Sequence, residues 1–200
     1  MRVLPILFNT QMAQAILDGR KSVTRRLVKH DVESMLNSPF HKKHPDVTDK
    51  QIIEKLCLPP YQPGDTLYVR ETWSEWDGGY VYKAWGGPFP QPGQMLGIKW
   101  HPSLHMPKEA ARIFLKVTEV HIEKLREITE EQARKEGCYY GPLFEGDSFE
   151  IKALSKFPKL WDSTIKKTEE DKYGWDANPW VWVIEFERCE KPKGFGGENG

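Results

Sequence analysis

With 200 residues the chain is long enough to bury a real core in one domain and short for two. Its 29 basic and 29 acidic residues cancel, so the molecule as a whole lacks the basic excess of a nucleic-acid-binding protein, and contact with a polynucleotide needs a local patch. Three scattered cysteines, Cys57, Cys138 and Cys189, include no C-x-x-C pair, which argues against a disulfide framework and a structural zinc site and fits a reducing cytoplasm. The apolar start Met1 to Phe8 is too short for a signal peptide, and no later run approaches membrane-spanning length, so a soluble cytoplasmic protein without membrane contact is expected.

In chain order, Arg2 to Phe8 reads as a first strand. Thr10 to Asp18 reads as a short helix with Thr10 as N-cap, apolar Met12, Ala15 and Ile16 at helical spacing, and Gly19 just past its end. The helix delivers Gly19-Arg20-Lys21-Ser22-Val23-Thr24-Arg25-Arg26, four cations and two hydroxyls in eight residues, too polar for a core. A strand follows through Val23 and Leu27. On one regular strand Lys21 and Thr24 would face opposite sides, so they converge only if Lys21 sits in the turn before it.

His30 to Asp46, rich in proline, histidine and lysine, reads as an exposed, mobile insertion. His30, His41 and His44 lack an acidic partner at a recognised metal-binding spacing. Thr48 and Gln51 form a capping box for a helix through Leu56, stopped by Pro59 and Pro60. Pro63-Gly64 then makes a turn into a strand, Leu67 to Trp73, whose alternation sends one face inward and the other toward a cleft. Asp77-Gly78-Gly79 is a hairpin turn before the strand Tyr80 to Ala84. Trp85 to Pro107, with many prolines and glycines, reads as a lid or binding loop, in which His105 is a candidate RNA contact.

Ala110 to Leu125 has the longest alternating run and reads as two strand segments bent near Thr118. Thr129 and Gln132 form a second capping box for a helix that ends at Glu136-Gly137. Residues 139 to 173 read as a further insertion, with Phe157, Leu160, Trp161 and Ile165 on one helical face. Trp180 to Arg188 is the last strand, and the glycine-rich, charged tail from Lys191 should be disordered.

The pattern Gly19-x-Lys21-x-x-Thr24-x-Arg26, the Pro63-Gly64-Asp65 turn with its strand, the Thr129 helix ending in Glu136-Gly137 and the Val183-Ile184-Glu185-Phe186 ending together resemble the ASCH domain family, relatives of the PUA class of RNA-binding modules. The resemblance covers about residues 3–27, 61–84, 110–137 and 178–188. It implies an α+β fold, a PUA-like β-barrel of five or six strands with short flanking helices. Residues 1–190 would form one domain, with long insertions at about 28–60, 85–109 and 138–177 and a disordered tail at 191–200.

Members with threonine where many carry glutamate include small bacterial amidohydrolases of N4-acetylcytidine. That likeness implies a catalytic set of Lys21, Thr24 and Glu136, with Arg70, Glu71 and Trp73 beside the cleft and no cofactor or metal. The chain is about twice as long as the minimal hydrolases, which leaves the size of the substrate open. In a binding module without catalysis, Arg20, Lys21, Arg25 and Arg26 would hold phosphates while Trp73 or Tyr82 stacks a base. A ribonuclease would use the same cleft. The expected partner is therefore a modified nucleoside or RNA.

Overall fold

In a computed structural model the described residues are 2–84, 97–138, 141–142 and 150–196. The alternating segments pair into a five-stranded sheet in the order β1 (Val3–Leu7), β3 (Thr66–Arg70), β6 (Phe114–Lys124), β9 (Trp180–Cys189) and β2 (Val23–Leu27). β1 runs parallel to β3, whereas β3 with β6 and β2 with β9 are antiparallel. The class is α+β, as expected. Instead of a closed barrel the described strands form an open order, with the five-residue strands β1 and β2 at its two ends and each paired on one side.

The remaining elements follow their local signals. β4 (Trp73–Trp76) and β5 (Gly79–Tyr82) form the expected hairpin around Asp77 and Gly78, whose φ values of 50° and 74° suit a type I′ turn. α1 (Thr10–Leu17) is capped by Asn9, one residue earlier than the sequence suggested. The Asn9 carboxamide oxygen accepts the Met12 N–H at 2.8 Å, which leaves Thr10 inside the first turn. Gly19, at φ +73°, then turns the chain so that the N–H groups of Arg20 and Lys21 both reach the Ala15 carbonyl. Lys21 thus lies in the connection before β2.

The insertion after β2 is helical. α2 (Val32–Leu36) and α3 (Pro39–Lys43) are capped by Asp31 and Ser38 inside the stretch expected to be mobile, and α4 (Asp49–Leu56) has the expected Thr48–Gln51 capping box. β6 is one unbroken strand of 11 residues. α5 (Glu130–Lys135) has both halves of the Thr129–Gln132 capping box, and Gly137 leaves it at φ +87°. β7 (Gly141–Pro142) and β8 (Glu150–Ile151) pair before α6 (Ala153–Asp162), and α7 (Glu170–Tyr173) precedes β9. Of the Trp85–Pro107 loop, residues 85–96 fall outside the described ones.

By its internal contacts the chain divides into two units, one of residues 1–22, 63–117 and 186–200, the other of residues 23–62 and 118–185. β6 runs through the boundary at Thr118 without the break between two strand segments that the sequence suggested. The first unit packs Trp73, Met106, Phe114 and Phe195 against Val3 and Tyr68. The second packs Val23, Leu125, Phe157, Trp161 and Val183, with Leu160 and Ile165 against them, so the helical face expected around Phe157 is present. Among the described residues no helix is long and apolar enough to cross a membrane.

One expectation fails at the C-terminus. Residues 191–200 were expected to be disordered; 197–200 fall outside the described residues, but Phe195 is only 6% exposed, its ring 5.1 Å from that of Tyr68 and 4.9 Å from that of Phe114. An apolar ring outweighed the glycines around it. Phe195→Ala should therefore destabilise the protein by about 3 kcal/mol. Urea unfolding checks this, and a variant as stable as the parent would mean that the tail contributes no packing.

Candidate functional site

β2 brings three of the candidates onto one strand. Thr24 and Arg26, two apart, share a face, and the Arg26 Nη1 donates to the Thr24 hydroxyl oxygen at 2.7 Å and to the Arg25 carbonyl at 2.9 Å. Thr24 is 1% exposed. Burial lowers the Arg26 pKa below its ordinary value, against the opposing pull of Tyr61 and Glu136, but a guanidinium stays charged at neutral pH. Tyr61 is the reciprocal case: burial raises its phenol, and Arg26 partly offsets that.

Arg25 was expected to hold a phosphate, and the structure places it elsewhere. Its side chain is 1% exposed and lies between two carboxylates. Nε and Nη2 donate to Glu123 Oε1 at 2.9 and 2.6 Å, and Nη1 donates to Glu136 Oε1 at 3.0 Å. The guanidinium also lies over the Phe157 ring, 5.6 Å from its centroid. A cation so enclosed has no face to offer a polynucleotide. Glu136, at the C-cap of α5 and 4% exposed, thus has Arg25 as a partner that the sequence did not suggest.

The arrangement continues along β6. His121 Nε2 lies 3.7 Å from Glu123 Oε2, and its Nδ1 lies 3.3 Å from Glu119 Oε1. Glu123, with help from Glu119 and Glu185, raises the His121 pKa against burial. Burial opposes the Glu123 carboxylate more than any one neighbour favours it, yet His121 and Arg25 together prevail and hold it below the ordinary range.

The other unit carries Lys21 and the cleft candidates. Lys21 is 3% exposed, with its ammonium 5.5 Å from the centroid of Phe8. Arg20 is exposed and paired with Asp18 at 2.7 Å. Arg70 donates to the carbonyls of Met106 and Leu104, and Glu71, fully buried, accepts from Arg112 through both oxygens at 2.9 and 3.1 Å. Burial nonetheless raises the Glu71 carboxyl. Arg112 stacks 4.0 Å from the centroid of Tyr82, whose hydroxyl donates to the Ala110 carbonyl; burial pushes that phenol up to about 12.

Trp73 is buried against His101, its ring 5.1 Å away, and the two backbones bridge. Arg70, Glu71, Trp73 and Tyr82, expected on a ligand, instead brace residues 101–112. The contacts are distant in sequence: Glu71 meets Arg112, Arg70 meets the carbonyls of Leu104 and Met106, and Tyr82 meets that of Ala110, while Trp73 packs on His101. His105 is exposed.

Arg112, Glu123, His121 and Tyr61 were not singled out in the sequence. Glu119, His121 and Glu123 stand at alternate positions of a strand, and one face of three ionisable groups was the available signal. A shallow depression lined by Lys159, Asp162, Ile165, Lys167 and Glu170 includes none of the candidates. Among the described residues no group of three or more His, Cys, Asp or Glu is placed to hold a metal ion.

No protein-family model matches the sequence, and no curated protein matches it. Solved structures similar to the chain include the ASCH domain from Lactobacillus crispatus JV V101, 15% identical with a TM-score of 0.46, over 94% of this chain and 79% of that one. A hypothetical protein is 15% identical with a TM-score of 0.39, over 94% and 100%. A protein from Enterococcus faecalis V583 is 13% identical with a TM-score of 0.42, over 94% and 76%.

The raised pKa of His121 has a sign that can be checked. A group raised on folding adds stability that is complete below its unfolded value, about 6.5, and that is lost as pH rises through the folded value. His121→Gln should lower the melting temperature at pH 5.5 and change it little at pH 8.5. Equal shifts at both values would mean that the imidazolium gains nothing from Glu119, Glu123 and Glu185.

Proposed function

We propose that this protein removes the acyl group from N4-acetylcytidine or a closely related N4-acylated nucleoside, with Lys21, Thr24 and Glu136 as the reacting set. The observation that supports it is burial. The lysine, the threonine and the glutamate that the family resemblance singles out are 3%, 1% and 4% exposed. Lysine and glutamate are almost never so covered without a specific partner, and buried ionisable groups are where functional sites concentrate.

The chemistry runs in two steps. The Thr24 Oγ1 attacks the acyl carbonyl carbon while its proton passes to a base, and the carbonyl oxygen takes up the negative charge. Collapse of that intermediate breaks the C–N bond, a proton is delivered to the exocyclic nitrogen, and cytidine leaves; water then releases acetate from the threonyl ester. The N–H of Arg26 on the Thr24 oxygen favours the developing alkoxide. For Lys21 to accept that proton its amine must be neutral. In an alternative route Glu136 activates a water that attacks directly, and Thr24 then orients the acyl group.

RNA binding through the basic cluster is the competing reading. It loses one of its cations to the Glu123 and Glu136 carboxylates, since Arg25 is enclosed. It keeps Arg20 on the surface and Arg26 half-buried.

The purified protein should release acetate from N4-acetylcytidine. Lys21→Ala, Thr24→Ala and Glu136→Ala should each lower turnover by roughly 100-fold or more, and the triple variant should be little worse than the worst single one, because each change dismantles the same arrangement. Thermal melts establish that the variants are folded. If Thr24→Ala retains most of the rate while Glu136→Ala does not, the water route replaces the threonyl ester. Should the wild type release no acetate but bind a short RNA with steep salt dependence, the binding reading takes its place.

A further inference from the structure

Glu136 sits at the C-cap of the short helix α5 and is 4% exposed. Its backbone N–H reaches the Gln132 carbonyl at 2.9 Å, and the last helical turn carries Arg134 and Lys135. Arg134 pairs with Glu130 at 3.2 Å and Lys135 with Glu131 at 2.9 Å. Arg25, whose Nη1 meets Glu136 at 3.0 Å, comes from β2, a distant element in sequence.

We infer that Arg25 is the positioning residue for Glu136, and that Glu123, backed by His121, fixes Arg25 in place. The inference rests on the hydrolase reading for its catalytic meaning. Its geometric basis is separate. One planar guanidinium divides its donors between two carboxylates, two N–H groups to Glu123 Oε1 and one to Glu136 Oε1, and the Phe157 ring closes one side. A fork held at three points has one orientation, and the Glu136 carboxylate inherits it.

The charges divide in the same way. One guanidinium serves two buried carboxylates, so Glu123 and Glu136 compete for it, and the second charge near Glu123 is His121 on the same face of β6. The groups that face His121 are Glu119, Glu123 and Glu185. Removing the charge of Glu136 leaves Arg25 to Glu123 alone and takes away a carboxylate from the neighbourhood. Both effects weaken the imidazolium, so the coupling can be read at His121 without any substrate.

A lysine at position 25 brings one charge but no fork, and it cannot meet both carboxylates with the same geometry. Arg25→Lys should lower kcat at least about tenfold while KM stays within about twofold, because a carboxylate displaced by an ångström loses its transition-state contact and not its ligand. A second variant guards against a mere fold defect. Glu130→Ala removes a carboxylate that accepts the N–H groups of Ala153 and Leu154 at 2.8 and 2.9 Å in the same unit, so it should lower the melting temperature and leave kcat unchanged.

The measurement independent of turnover is the NMR titration of the His121 imidazole in the wild type, Glu136→Gln and Glu130→Ala. The expected result is a titration shifted to lower pH in Glu136→Gln and unmoved in Glu130→Ala. A His121 curve identical in the wild type and Glu136→Gln overturns the inference, as does a folded Arg25→Lys protein with the wild-type kcat. If the wild type has no turnover at all, the hydrolase reading falls, and the His121 titration alone decides whether Arg25 couples the two carboxylates.

Discussion

A guanidinium taken out of water between two carboxylates is the interaction on which the candidate site depends. Arg25 is stripped of solvent, and its burial is tolerable only because Glu123 and Glu136 supply acceptors at 2.6 to 3.0 Å. Such an arrangement contributes little net stability compared with an apolar core of the same shape, but removing one partner leaves a buried charge and costs about 3–5 kcal/mol. Its effect is on geometry. A strand, a second strand and a helix end are brought to one point, and Glu136 has a fixed direction there.

The first unit holds a second buried pair of the same kind. Glu71 is fully buried and receives Arg112 through both oxygens, and the guanidinium stacks on Tyr82 while it also donates to the Ala84 carbonyl. Two consecutive residues, Arg70 and Glu71, thus hold the segment that runs from Leu104 to Arg112. In both units the charged side chains that looked ready for a ligand satisfy each other. That is the expected fate of a buried charge unless a partner of better geometry is offered.

The parts of the fold that could be read in advance were those with local causes. The capping boxes at Thr48–Gln51 and Thr129–Gln132, the Asp77-Gly78 hairpin and the alternating runs of β3, β6 and β9 each follow from neighbours within a few residues. Asn9 replaced Thr10 as a cap because both are good caps and only backbone geometry separates them. What could not be read were pairings across long sequence separations. Arg25 meets carboxylates 98 and 111 residues away, and Arg112 meets one 41 residues away. Two pairs of cations, Arg20-Lys21 and Arg25-Arg26, looked like a surface patch because nothing in the local sequence names the two glutamates that enclose Arg25. Phe195 was hidden in the same way, an isolated ring among glycines whose partners, Tyr68 and Phe114, lie far back in the chain.

Burial of Lys21, Thr24 and Glu136 gives the hydrolase reading its physical content, and the position of a bound substrate tests it most directly. A crystal structure of the Thr24→Ala protein with N4-acetylcytidine would show where the acyl group lies. The proposal predicts the acyl carbonyl carbon about 3–3.5 Å from the position of the missing Thr24 hydroxyl, the near-attack distance, with Glu136 still held by Arg25. A nucleoside bound with its acyl group turned away from residue 24 and from Glu136 would contradict it.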